Sequence, residues 1–303
     1  MKRKAIQLAK QTLVVSLPSK WVNEQGIKKG DEINIEEIGN ELIIGNNNIK
    51  EKKEVEINLI NNSEITIGNL ICNIYCLGFD KIKINFTNAK YCEIMMQKLK
   101  TRMIGFDITK RGKDYCIVEK IAEPSEEQFD NILRKLFLSI DELFELTEMN
   151  LEKKKECINN FEEIEERIFK YDCFCRRVIS KKKLFIKNSE MCWGFLIGLW
   201  NAQREIYYLN KFLEENKNIE SPKDFSELIN HCRSFLKIME DSFFNKKIEP
   251  LGKIHELEPK IINETIYGIL KKDNKNGNIV IFRLGACVRQ LHLAVSSLIG
   301  FLL

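Results

Sequence analysis

Residues 14–37, VVSLPSKWVNEQGIKKGDEINIEE, leave a chain few ways to fold. Alternation from Thr12 to Leu17 makes a strand, and Pro18 ends it where a first helical residue tolerates proline. Trp21 and Val22 face inward for one or two turns, Gly26 supplies the left-handed stop, and Gly30-Asp31 turns into a second alternating run, Glu32 to Glu36, that hides Ile33 and Ile35. Ala5–Leu8 before this stretch and Leu42–Ile44 after Gly39-Asn40 add two more short strands. Four such strands and one helical turn bury too little surface to stand alone, and their edges lack partners. An obligate dimer through residues 1 to 45 follows.

Charge divides the same region. Lys2, Arg3, Lys4, Lys10 and Lys20 meet no acid before Glu24, after which Asp31, Glu32, Glu36, Glu37 and Glu41 follow. A basic patch is an electrostatic footprint for phosphate backbones, although lysine clusters also form plain solvated edges.

The order and spacing of VVSLPSKWV followed by GIKKGDEI resemble the SpoVT/AbrB swapped-hairpin domain, especially the version that opens archaeal PhoU-like regulators. The resemblance implies hairpins interleaved between two chains into one small closed barrel, with the helical turn linking the hairpin halves. It also implies a DNA-facing set that falls here on Lys2, Arg3, Lys4 and Lys10, with Lys20 at the linking turn. Some members of that family, notably antitoxins, use the barrel mainly for protein contacts.

Residues 46–54, NNNIKEKKE, read as a linker between a domain at 1–46 and a compact α/β module at 54–121. The module orders as a strand at Val55–Leu59, a helix at 67–77, a strand at Lys81–Phe86, a helix at 89–103 and a hairpin through 106–109 and 115–118. From residue 125 to 303 the period becomes helical. A capping box at Ser125–Gln128 opens the first helix, and Asn150 is expected to cap a second that runs to Val178. Further helices are read at about 189–215, after Ser221-Pro222, at 251–270 and at 279–303. Long amphipathic helices with short connections make an antiparallel bundle. The fold class is therefore α+β and multidomain.

This helical half resembles a PhoU domain, in which acidic i, i+4 pairs on two repeated three-helix units hold metal clusters. Glu162, Glu165 and Glu166 lie on one side of a helix, and Glu162 and Glu166 match the first repeat's pair. In the second repeat, LWNAQREIYYL, Asn201 and Arg204 stand where acids are expected and only Glu205 remains. The expectation is at most one weak divalent-metal site, on the first repeat, for an ion such as iron, zinc or magnesium. The acids otherwise make a solvated face. Arg176, Arg177 and Lys181 to Lys183, in CFCRRVISKKK, suit an anion, though a helix C-terminus favours bases for its dipole alone.

The ten cysteines include no C-x-x-C pair, which fits free thiols of a reducing cytoplasm. The longest apolar run, Leu293 to Leu303, is too short to span a bilayer, so no membrane insertion is expected. His231, His255 and His292 are scattered, and no serine elbow, phosphate loop or H-E-x-x-H is present, so an enzyme is not expected. The expected function is DNA-binding transcriptional regulation linked to phosphate uptake. The alternative is an adaptor that acts on a phosphate transporter or sensor protein through the bundle.

Overall fold

The computed structural model describes residues 2–9, 12–38, 41–45, 52–60, 63–122, 127–152, 160–182, 188–217, 219, 222, 224–271 and 277–303. Contacts divide the chain into two compact units, Met1–Lys52 and Lys53–Leu303.

In the first unit β1 (Ile6–Ala9) pairs antiparallel with β2 (Thr12–Val14). After α1 (Ser19–Glu24), β3 (Asn34–Ile38) pairs antiparallel with β4 (Glu41–Gly45). Gly26 (φ 62°) and Gly30 (φ 96°) occupy the left-handed region, which lets the chain reverse twice between α1 and β3. The expected barrel is not closed within one chain: the described strands form two separate two-stranded sheets. A barrel needs every edge strand paired, and among the described residues the edges of both hairpins have no neighbour. Trp21 and Val22 are only half-buried, and Ile35, expected to be hidden, is 62% exposed.

The second unit begins with a four-stranded mixed sheet in the order β5-β6-β8-β7. β5 (Glu54–Leu59) runs parallel to β6 (Lys81–Phe86) through α2 (Glu64–Cys76). α3 (Lys90–Arg102) then leads to the hairpin of β7 (Phe106–Arg111) and β8 (Tyr115–Lys120). Each element falls close to its expected place because the strands alternate cleanly. Ile82, Ile84 and Phe86 face the helices, and the lysines between them face water.

Helices follow: α4 (Glu127–Leu151), α5 (Phe161–Lys182), α6 (Ser189–Glu215) and α7 (Phe225–Asn245). The expected capping box at Ser125 and Glu126 lies outside the described residues. After a 3-10 turn at Glu249–Leu251 come α8 (Gly252–Lys260), a π-helical turn at Ile261–Ile266, α9 (Tyr267–Leu270) and α10 (Gly277–Leu302). Pro259 lies inside α8 and brings no N–H to its ladder; the wider turn follows directly after it.

Asn150 does not open a helix. It lies in the last turn of α4 and donates to Asn210 Oδ1 at 3.0 Å, while Asn210 Nδ2 donates to Thr147 Oγ1 at 2.6 Å. This pairing across α4 and α6 holds Asn150 inside the helix that was expected to end before it.

The bundle core centres on α6 and α10. A Cβ on Gly198 would collide with Ala294, and one on Gly194 would come within 2.9 Å of Ser297 Oγ, so small residues set how closely the two helices approach. As a whole α10 is long and apolar enough to cross a membrane by length and composition, and its stripe from Val280 to Phe301 is buried in this core. The nine described cysteines are buried free thiols; Cys157 lies outside the described residues.

The α/β layer and the bundle share a seam along α5. Cys173 belongs to the sheet's core although the other buried apolar residues of α5 belong to the bundle's, and Trp193 touches both cores.

Candidate nucleic-acid interface and the acidic face of α5

Lys2, Arg3 and Lys4 lead into β1 and are all exposed. Lys20 is exposed on α1 with Glu24 at 3.9 Å, a separation at which water screens most of the attraction. Lys10 lies outside the described residues. Beside these bases the same unit exposes large apolar side chains: Leu8 73%, Leu13 70% and Leu42 66%. In register, Ile35 stands opposite Ile44 and Leu42 opposite Glu37. A unit so small with its apolar residues in water is short of a partner surface.

The candidate metal ligands are distributed differently from a ligand set. Glu162 is exposed, Glu166 is half-buried, and Glu165 is buried and receives Arg204 Nη1 at 2.9 Å. Burial pushes the Glu165 carboxyl above its ordinary range, and the charges of Arg204 and Arg102 offset this only in part. Glu205 is taken by Arg283 of α10 at 2.7 Å. Among the described residues no group of three or more His, Cys, Asp or Glu stands together as a metal ion requires. At Glu165 the positive charge is therefore a guanidinium, supplied by the Arg204 that takes the place of an expected acid.

Arg204 also donates from Nη2 to Tyr208 Oη at 2.7 Å and lies over the rings of Tyr207 and Tyr208 at 4.3 and 4.5 Å. It borders a cleft of about 740 Å³ in the seam, walled by α2 and α3 on one side and α5 and α6 on the other. Lys98, Arg102 and Trp200 complete much of its lining.

The anion site read into CFCRRVISKKK is corrected by the geometry. Arg177 is 1% exposed, with Nη1 donating to the carbonyls of Tyr75 (3.0 Å) and Phe79 (2.8 Å) and Nη2 to Asp80 Oδ1 (2.9 Å). Lys181 donates to both oxygens of Asp80, at 2.8 and 2.7 Å, and Arg176 forks onto Asp172 at 2.7 and 2.9 Å. These bases are spent on acceptors of the protein itself. Lys183 lies outside the described residues. Burial alone would raise Asp80, but the hydrogen bond and charge of Lys181, aided by Lys120, outweigh it and hold the carboxyl below its usual range.

Sequence reasoning missed one further cluster. His255 of α8 and His292 of α10 meet with Nδ1 and Nε2 2.8 Å apart, and His292 Nδ1 lies 3.7 Å from the buried Glu258. Burial lowers the proton affinity of His292, Glu258 opposes that, and His255 and Arg289 add to it. The two histidines are 37 residues apart. The spacing of His255 and Glu258 within one helical turn is the sole local trace of the cluster.

Residues 6–45 match the family described as antidote-toxin recognition MazE, bacterial antitoxin. The match covers both hairpins and the helical turn between them. It supports the swapped-hairpin reading of the N-terminal unit and leaves the second unit unassigned. No curated protein and no solved structure matches the chain.

Proposed function

We propose that the chain is a homodimeric DNA-binding regulator whose Met1–Lys52 unit is both dimer clamp and DNA grip. One observation carries this: a single small unit combines an uncovered apolar set, Leu8, Leu13, Ile35 and Leu42, with a stretch free of acids through residue 23. A second copy covers the apolar side chains and closes the hairpins into a barrel, and Lys2, Arg3, Lys4, Lys10 and Lys20, doubled by symmetry, face phosphates. The antitoxin-family match supports the reading, because such a domain is compatible with a DNA-binding regulator. In its finer form the second unit is a PhoU-like bundle tied to phosphate uptake in an archaeal cytoplasm, acting on a partner without catalysis. Only the sequence resemblance supports that finer form.

A second reading keeps the dimer and replaces DNA with a protein, as the matched family's description, antidote-toxin recognition, suggests. An adaptor for a transporter or sensor protein belongs to the same class.

Affinity for DNA measured against salt separates the two. Arg3→Gln with Lys4→Gln is expected to weaken binding across sequences and to flatten the logarithmic salt slope by roughly one unit per lost contact. An unchanged slope moves the grip elsewhere, and absence of recurrent sites in DNA crosslinked to the protein favours the second reading. Light scattering that shows a monomer at micromolar concentration refutes the dimer.

A further inference from the structure

We infer that the seam cleft is a binding site for a small organic anion bearing a flat ring, of the chemical class of the nucleoside monophosphates. Its volume of about 740 Å³ lies within the roughly 300–1,000 Å³ of small-molecule sites. Its charges are unbalanced: Lys98, Arg102 and Arg204 face only Glu64 and Glu165. Lys98 lies 3.6 Å from Glu64 and Arg204 2.9 Å from Glu165, while the charge of Arg102 reaches Glu165 without forming an ion pair of its own.

Arg102 makes no ion pair among the described residues, and its Nε is buried without a hydrogen-bond partner. The guanidinium is held in place by the Phe169 ring, 4.1 Å beneath it, so the donor is oriented before any ligand arrives. The rim at Ser63 and Glu64 is the start of α2, where the helix dipole also favours negative charge.

The aromatic half of the recognition comes from α6. Trp200 is half-buried and Tyr208 exposed, and both line the cleft with Arg204 over their rings, so a planar group meets aromatic and guanidinium surface together. A bare metal ion is disfavoured by the three cations. Inorganic phosphate fills a small part of the space and leaves the rings unused. A phosphate joined to an aromatic base engages both halves.

Titration calorimetry on the full chain tests this with AMP, GMP, adenosine and inorganic phosphate. At least one nucleotide is expected to bind tenfold or more tightly than adenosine and phosphate alike. Arg102→Gln should weaken it about tenfold or more, the scale of one charge-assisted hydrogen bond. Gly68→Leu fills the cleft without removing a charge, since a Cβ there already points at Arg102 and Lys98, both at 3.6 Å. It should abolish binding. Arg3→Gln with Lys4→Gln should leave binding unchanged, which keeps this site separate from the proposed DNA grip. The inference is overturned by absence of heat with all four probes, by phosphate binding as tightly as the nucleotides, by Gly68→Leu binding like the parent, or by loss of binding in the Arg3/Lys4 variant.

Discussion

Two ionic clusters lie along the seam between the α/β layer and the bundle, one across it and one within the bundle beside it, and they are built on opposite terms. At Asp80 three cations converge on one carboxylate and every cation is used: Arg177 at 2.9 Å, Lys181 at 2.7 Å and Lys120 at 3.4 Å. At Glu165 a single guanidinium makes the pair, burial outweighs it, and an open cleft with a spare arginine lies alongside. In the first cluster attraction exceeds the cost of desolvation, so the carboxyl is held charged. In the second the balance tips the other way, and an open cleft lies beside it. A cluster whose attraction outweighs desolvation is a fastener, whereas one beside a cavity has capacity for something else.

The largest expected effect comes from breaking the fastener. Asp80→Ala leaves Arg177 fully buried without its carboxylate and should destabilise the second unit by about 3–5 kcal/mol, read from chemical denaturation. Retention of parental stability would make the cluster ornamental and erase the contrast. Glu165→Gln is expected to change stability by less than about 1 kcal/mol, because the amide oxygen still accepts from Arg204 and no charge has to be desolvated. A loss as large as that of Asp80→Ala would show two fasteners.

The smallest effect is the direction of the pH dependence. Asp80 is lowered in the fold, so its contribution is complete above the ordinary aspartate range and is lost as pH falls through its folded value, below about pH 4. Glu165 is raised, so the fold prefers its protonated form and loses that preference as pH rises through the folded value, above about pH 4.5. Thermal unfolding followed from acid to neutral pH should therefore show the parent gaining on Glu165→Gln toward acid. The advantage of the parent over Asp80→Asn should shrink in the same direction. Parallel curves for both variants would mean that the two carboxylates sit in equivalent surroundings.

Much of the layer and bundle was legible in the sequence. Strands β5 to β8 and helices α6, α7 and α10 fall near their expected places because one-sided burial writes a period of two or of 3.6 into the chain. The failures lie where an element is covered on two sides. Helix α5 presents Phe161, Ile164 and Ile168 to the bundle and Cys173 to the sheet, so Glu165 and Arg177, polar positions in its pattern, are buried rather than solvated. Period reports a single buried face and is silent about a second. The partners are also remote: Arg177 and Asp80 are 97 residues apart, and Glu165 and Arg204 are 39. The basic set at Lys2, Arg3, Lys4, Lys10 and Lys20 was readable from charge and its candidate DNA-facing role from the family resemblance, whereas the uncovered state of Leu8 and Leu42 required the pairing of the hairpins.

The reach of Arg177 across the seam also bears on how the chain is made. Because Arg177 follows Asp80 by 97 residues, at about 5–20 residues per second Asp80 waits roughly 5–20 s on the ribosome for this guanidinium. During that wait the carbonyls of Tyr75 and Phe79 have water in place of the guanidinium, and the faces of Tyr75 and Phe106 that it later covers stand open. The nascent layer is thus a finished sheet with an unfinished edge, and a holding chaperone has a defined place to sit until α5 is made.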